Sequence, residues 1–322
     1  MSRAKTEVAG PVTPRQLISV AARRFRSAGL VYGHGTLNAG DEAAWLVTHA
    51  LGCPFEALPA RMDQPLPARI TQRAQRLFDR RIDERIPAAY LTREAWLGEH
   101  RFYVDQRVIV PRSYIAELLR DRLRPWWPAT GSPRTILDLC TGSGCLAIVA
   151  AHTFPKTRID GVDISGPALS VARRNVRAHH LTSRVKLIRS DLFNGINAAS
   201  YDLILSNPPY VREPVMRGLP AEYRHEPALA LHGGADGLDL VRRILGEAGR
   251  HLNPRGWLVL EVGHNRARVE RAFPKLPFIW AETSGGDDCV ALLPKAALSA
   301  VQVAPVPPTR PTTARRQRKT AQ

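Results

Sequence analysis

Residues Asn207-Pro208-Pro209-Tyr210 follow Ser206. Neither proline can donate a backbone hydrogen bond, so the chain must leave any strand here, and two restrained φ angles stiffen the loop. The Pro208 carbonyl is then a fixed acceptor, and the Asn207 side-chain oxygen is a second. Two acceptors held this way can grip both hydrogens of a planar NH2 group and aim its nitrogen at an activated methyl carbon. Tyr210 can pack on the flat face of that group. An amide nitrogen is a poor nucleophile, so such a site works by positioning and electrostatics rather than by a strong base. Asn207, Pro208, Pro209 and Tyr210 are the candidate catalytic residues. The plainer alternative is that two prolines simply end a strand.

The second constellation is Asp138-Leu139-Cys140-Thr141-Gly142-Ser143-Gly144-Cys145. Its glycines let backbone approach a ligand closely where a strand hands over to a helix. As a bare pattern, Gly142-x-Gly144-x-x-Ala147 also satisfies a dinucleotide fingerprint. The acids shift the reading. Asp138 precedes the loop, where a carboxylate suits a cationic ligand better than a pyrophosphate. Asp163, followed by Ile164, ends a second strand, where an acid can hold ribose hydroxyls. Asp191 ends a third, with Leu192 and Phe193 beside it as adenine contacts. Three acids at three strand ends suit S-adenosylmethionine, a sulfonium with free ribose hydroxyls. The candidate cofactor residues are Asp138, Thr141 to Cys145, Asp163, Ile164, Asp191, Leu192 and Asn207.

These loops need elements to hold them. From residue 134 onward, TILDLC, RIDGVDI, VKLIRSDLF, YDLILS, WLVLEVG, FIWAE and CVALL read as strands. Helical CLAIVAAHTF, PALSVARRNVRAHH and DLVRRILGEAGRHL lie between them. That alternation predicts an α/β fold with a doubly wound, mostly parallel sheet. The short Thr283–Asp287 loop predicts a closing hairpin, and so one antiparallel strand. Upstream, Thr13-Pro14-Arg15-Gln16 is a capping box opening a helix that stops near Gly29. A second helix is expected from after Asp41 to Gly52, and a third from about Pro67 to Ile86. The third carries Arg69, Arg73, Arg76, Arg80 and Arg81, read as a solvated face, with a surface for ribosomal RNA as the alternative. AWLGEHRFYVDQRVIV alternates as a hairpin over 95–110, and a helix with Ile115, Leu118, Leu119 and Leu123 follows Pro111. The organisation expected is a flexible 1–12, a helical domain 13–94, a hairpin and linker helix 95–133, a catalytic domain 134–298 and a disordered basic tail 299–322.

Composition sets the outer bounds. The 322 residues carry a formal net charge of +17. Five of those charges (Arg310, Arg315, Arg316, Arg318 and Lys319) lie in the last 13 residues. Such a balance suggests an anionic neighbour such as RNA. No stretch approaches a membrane span, and the N-terminal residues lack the apolar core of a signal peptide. Four cysteines without a Cys-x-x-Cys pair are not a disulfide framework. No histidine cluster has metal-ligand spacing, so no metal is expected, and a reducing cytoplasm is the expected setting.

The glycine loop combined with Asn207–Tyr210 resembles the methyltransferases that act on exocyclic or amide NH2 groups. More widely, residues 15 to 295 resemble the HemK-type protein-(glutamine-N5) methyltransferases. The shared phrases are Trp96-Leu97-Gly98…Phe102-Tyr103-Val104-Asp105…Val108-Ile109-Val110-Pro111-Arg112, Val162-Asp163-Ile164-Ser165, and Glu226-Pro227-x-x-Ala230-Leu231…Gly234-x-Asp236-Gly237-Leu238. Within that family, Ser113-Tyr114-Ile115-Ala116-Glu117-Leu118 is similar to the branch that modifies large-subunit ribosomal protein L-3, with Tyr114 where that branch usually has proline. Glu222-Tyr223-Arg224-His225-Glu226-Pro227 points the same way. The resemblance implies a class I, Rossmann-like methyltransferase with a seven-stranded sheet and S-adenosyl-L-methionine as methyl donor. It further implies an N-terminal domain that recognises the protein substrate, and glutamine binding by Asn207 and Pro208 to Tyr210. The implied partner is ribosomal protein L-3, free or in an assembly intermediate, with incidental contact to ribosomal RNA and none to a membrane. Three other readings stay open: the Gly-Gly-Gln loop of a release factor, the N6 of adenine in nucleic acid, and a non-catalytic ribosome-assembly module.

Overall fold

The computed structural model describes residues 12–128, 131–196 and 200–298. Helix α1 (Pro14–Ser27) starts at the capping box: the Gln16 amide donates to Thr13 Oγ1 and the Thr13 amide donates to Gln16 Oε1. Helix α2 (Ala39–Leu51) starts earlier than the sequence suggested, because Asn38 Oδ1 accepts the amides of Gly40 and Asp41. It ends at Gly52, whose φ of +68° closes the last turn. Helix α3 (Ala68–Asp83) stops short of Ile86, and Arg85 has left the helical region at φ +57°. Phe25, Leu46, Ala74 and Phe78 join these three helices in one core, with Phe25 and Phe78 meeting edge to face at 5.7 Å. The short α4 (Ala88–Thr92) follows.

Strands β1 (Glu94–Leu97) and β2 (His100–Tyr103) form the expected antiparallel hairpin. It does not continue to Val110. The Val104 amide still reaches the Arg93 carbonyl, but Val108 and Val110 are buried without strand partners, because other groups take their backbone. The Val110 amide donates to Glu226 Oε1 and the Val108 carbonyl accepts from Tyr90. Helix α5 (Ile115–Arg120) is shorter than expected, and Leu123 lies beyond its end although still buried.

The remaining elements are β3 (Thr135–Leu139), α6 (Cys145–Thr153), β4 (Arg158–Asp163), α7 (Gly166–Ala178), β5 (Val185–Arg189), β6 (Tyr201–Ser206), α8 (Glu213–Arg217), α9 (Asp239–His251), β7 (Leu252–Glu261), α10 (Arg266–Ala272), β8 (Ile279–Thr283), β9 (Gly286–Pro294) and α11 (Lys295–Leu298). All seven strands expected of the large sheet are present, in the order β5-β4-β3-β6-β7-β9-β8. Strand β9 runs antiparallel to both neighbours, and the other pairings are parallel. The chain winds outward from β3 in both directions, so the crevice between β3 and β6 is the topological switch point where α/β folds place ligands. Side chains alternate across the sheet. Ile136, Leu203 and Leu205 face one core, which they share with the hairpin and α5, while Leu137, Leu139 and Ile204 face the other, with α9.

One arginine departs from the solvated face read in the sequence. Arg69, Arg73, Arg76 and Arg80 are exposed, but Arg81 is fully buried beside Glu42 and Glu222. The expectations for residues 1–11 and for the basic tail lie outside the described residues.

Candidate active site

The two motifs found in the sequence begin from paired residues. Leu139 and Ser206 are register partners at the ends of β3 and β6, and Ser206 Oγ donates to the Leu139 carbonyl at 3.1 Å. The glycine loop and Asn207–Tyr210 therefore leave the sheet side by side at its switch point.

A cavity of about 190 Å³ lies against the second motif. Its lining comprises Asn207 to Val211, a second segment with Leu219, Tyr223, Ala230 and Leu231 that meets the first where the Leu231 carbonyl accepts the Val211 amide, and Ile109 and Arg112. Asn207 Nδ2 donates to the Arg112 carbonyl at 3.4 Å, which occupies the donor end of this amide and leaves Oδ1 to accept. Glycines fix the loop from behind. A Cβ on Gly233 would lie 2.7 Å from Tyr210 Cα and 2.8 Å from the Pro209 carbonyl oxygen. One on Gly263 would lie 2.6 Å from the Tyr210 ring. No larger residue fits against this backbone.

The Tyr223 part is held from a distance. The 3-10 turn Ala221–His225 carries Tyr223 and is clamped through its own acid, Glu222, and through Glu226, which follows it. Arg81, reaching from α3, donates to Glu42 Oε1 at 2.6 Å and to Glu222 Oε1 at 3.2 Å, and all three side chains are buried. Glu222 also accepts the Val31 amide. His225 Nε2 donates to the Glu84 carbonyl. Next in the chain, Glu226 takes a two-pronged bond from Arg112 at 2.5 and 2.6 Å, and Arg112 lies over the Tyr223 ring. His34 packs against the Tyr223 ring at 4.4 Å, and burial pushes its imidazole down to about 4.

The glycine loop forms a second cradle. Gly142 and Gly144 have φ of +57° and +81°, and the non-glycine Cys140 also sits at +59°. Asp138 is buried, and that burial pushes its carboxyl up to about 7. Its Oδ2 accepts from Thr141 Oγ1 and the Ala147 amide, while the buried Oδ1 has no partner. A buried carboxylate oxygen without a donor fits a cationic or N–H-bearing ligand. Asp163 accepts the Gly142 and Ser165 amides, and Ile164 beside it is an exposed apolar face. Asp191 pairs with Arg243 at 2.9 Å, and the buried Leu192 follows it at φ +50°. Cys140 and Cys145 are free thiols whose surroundings push them up and keep them protonated.

The sequence reading placed the two motifs but missed much of what surrounds them. Arg112 and Tyr223 appeared only inside family phrases, His225 and Glu226 could be read as acid-base or as loop-ordering residues, and Glu42, His34 and Gly263 carried no signal. Glu261, at the end of β7, was also missed. It is buried, accepts from Ser113 Oγ at 2.5 Å, and is pushed up to about 7 by burial. An acid at the end of an apolar strand was the available clue.

A family model described as "PrmC N-terminal domain" matches residues 16–92, and one described as "Methyltransferase small domain" matches residues 118–218. A ribosomal protein uL3 glutamine methyltransferase of Neisseria meningitidis serogroup B is 53% identical over 281 residues, covering 87% of this chain and 92% of that protein. The chain belongs to this methyltransferase family. Another relative of the same description, from Bordetella pertussis, is 51% identical over 89% of this chain and 96% of its own length. A third, from Burkholderia pseudomallei, is 50% identical over 90% and 96%. Among solved structures, a methyltransferase from Pyrococcus furiosus is 18% identical with a TM-score of 0.45, covering 70% of this chain and 98% of that one. Among the described residues, no helix is long and apolar enough to cross a membrane.

Proposed function

We propose that this enzyme transfers a methyl group from S-adenosyl-L-methionine to the side-chain amide nitrogen of a glutamine in ribosomal protein uL3, in the cytoplasm. The observation that carries the reading is Asn207. With its donor end engaged by the Arg112 carbonyl, Oδ1 is an acceptor at the wall of a cavity next to the glycine loop.

In this reading Asn207 Oδ1 and the Pro208 carbonyl each accept one hydrogen of the glutamine NH2. That grip fixes the plane of the amide and directs its nitrogen lone pair towards the β3 side. Tyr210, immobilised by Gly233 and Gly263, supports the face of the amide. Pro209 keeps the loop rigid so that little ordering remains for the moment of reaction. Asp138, the loop Thr141 to Cys145, Asp163 with Ile164, and Asp191 with Leu192 hold the methyl donor. Asp138 Oδ1 answers its positive end and Asp163 its ribose hydroxyls. Bound there, the donor supplies a sulfonium methyl and leaves as a neutral thioether. The methylated amide carries one surplus proton and is acidic enough to lose it to water, so no strong base is required.

The substrate reading is supported by the relatives' shared description and by Tyr223, which lines the cavity within a phrase of that branch. The test is direct. The purified enzyme is given labelled donor with free uL3, an assembling large subunit, a release factor, or nucleic acid. Label in a uL3 glutamine is expected, and comparing the first two substrates shows which form is preferred. Label only in the release factor or in nuclease-sensitive material would overturn the substrate assignment.

A further inference from the structure

Three histidines far apart in sequence meet at the edge of the sheet opposite the glycine loop. His100 opens β2, His152 lies in the last turn of α6, and His179 caps the C-terminus of α7. Helices that follow parallel strands run back along the sheet, so both helix ends lie at the strands' N-terminal edge. One ligating atom from each imidazole falls within 4.8 Å of the other two. His152 Nε2 and His179 Nδ1 are 3.2 Å apart. The His100 and His152 rings stack at 4.7 Å.

The hydrogen bonds fix one tautomer. His179 Nε2 lies 2.8 Å from the Arg101 carbonyl, which can only accept, so Nε2 carries the hydrogen and Nδ1 of the neutral ring carries a lone pair. That lone pair faces His152 Nε2. Either His152 donates a hydrogen across the gap or the two nitrogens share a cation. A ring nitrogen oriented by a backbone carbonyl on its other side is the usual outer-sphere arrangement of a metal-bound histidine. At Zn–N bonds of about 2.0–2.1 Å, the edges of a tetrahedron are roughly 3.3 Å long, close to the His152–His179 separation. Turning the His100 ring out of its stack supplies the third ligand. His152 is exposed and the other two are half-buried, so water can take the fourth position.

We propose that His100, His152 and His179 form a site for a divalent transition metal of the zinc class, separate from the methyl-transfer site. Its ligands come from the hairpin and from the ends of two helices, so a bound ion staples β2 to the catalytic sheet. The staple reaches the glycine loop through one side chain. Asn175, one helical turn before His179, accepts the Tyr103 amide at 2.8 Å and donates to the Ser143 carbonyl at 2.9 Å. Sequence spacing hides this site because its three ligands belong to three elements.

The test uses the full chain, freed of any affinity tag, stripped with a chelator and titrated with zinc chloride against a chromophoric competitor. One equivalent should bind and raise the melting temperature. His152→Ala removes an exposed ligand without touching the core. It should weaken binding at least about tenfold, the lower range found for disturbing a metal site, and abolish the thermal shift. Absence of stoichiometric binding would overturn the proposal. So would binding that survives His152→Ala but disappears in His264→Ala, since that places the ion at the other candidate cluster, His264, Asp288 and Cys289.

Discussion

The two sides of the cavity are held by different physics. The Asn207–Tyr210 side leaves the sheet directly, and its backbone is fixed by prolines and by glycines that admit it at van der Waals range. The Leu219–Leu231 side is joined to the first at its Leu231 end, where the Leu231 carbonyl accepts the Val211 amide, but its Tyr223 segment lies in a 3-10 turn away from the strands. It is fixed by charges brought from elsewhere: Arg81 and Glu42 of the N-terminal helices on Glu222, and Arg112 on Glu226. In the proposed reading the reacting amide is gripped by the rigid, local side, while the Tyr223 side, set by the N-terminal helices and Arg112, faces the rest of the substrate. Methyl transfer and substrate choice should therefore respond to different substitutions.

The largest effect is expected at the distant clamp. Arg81→Ala leaves Glu42 buried without its cation and leaves Glu222 only the longer contact with Arg85 at 3.5 Å, and breaking a buried pair of this kind costs about 3–5 kcal/mol. Denaturant unfolding should show that loss, and KM for the protein substrate should rise more than kcat falls. A small loss with unchanged KM would mean that the clamp does not shape this side. On the local side, Gly233→Ala pushes a methyl into Tyr210 and Pro209 backbone, an overpacking worth about 1–3 kcal/mol. Here kcat should fall while the affinity for the methyl donor holds.

A smaller, pH-dependent effect separates the glycine loop from both sides. The Asp138 carboxyl, raised to about 7, must be deprotonated to face a cation. Donor affinity should therefore rise roughly eightfold between pH 6 and 7.5, following the ionised fraction of a group with that pKa. In Asp138→Asn the profile should be flat across this range, as equilibrium binding at each pH can show. The sign for stability is opposite. The folded chain without ligand holds this proton above the ordinary carboxylate range, so Asp138's contribution to stability declines as pH rises from about 4 to 7. The smallest effect belongs to the neighbour of Arg81. Arg80→Ala removes only an exposed pair with Glu84, worth about 0.5 kcal/mol or less, and unfolding curves should nearly superimpose.

That pair of neighbours also shows what the sequence could reveal. Features written in adjacent residues were legible: the Thr13 capping box, the seven strands, the glycine loop and Asn207–Tyr210. Each follows from local propensity or from a motif whose chemistry is carried by its own backbone. Arg80 and Arg81 look alike in sequence, but Arg81 points between helices towards two acids, one of them 141 residues away. Gly233 and Gly263 could be read only as turns until Tyr210 was seen against them. Val104 to Val110 alternates like a strand but lost its partner to the carboxylate of Glu226. In each case a long-range contact decided the outcome, and no periodicity encodes such contacts.

The central claim is that Asn207 orients the substrate amide, and one measurement addresses it most directly. At saturating methyl donor, the single-turnover rate of methyl transfer to uL3 is compared between the parent chain and Asn207→Ala, with folding checked by melting temperature. Loss of an orienting group in the transition state should slow transfer by about two to three orders of magnitude with the fold retained. Transfer at the parental rate in a folded Asn207→Ala chain would contradict the account.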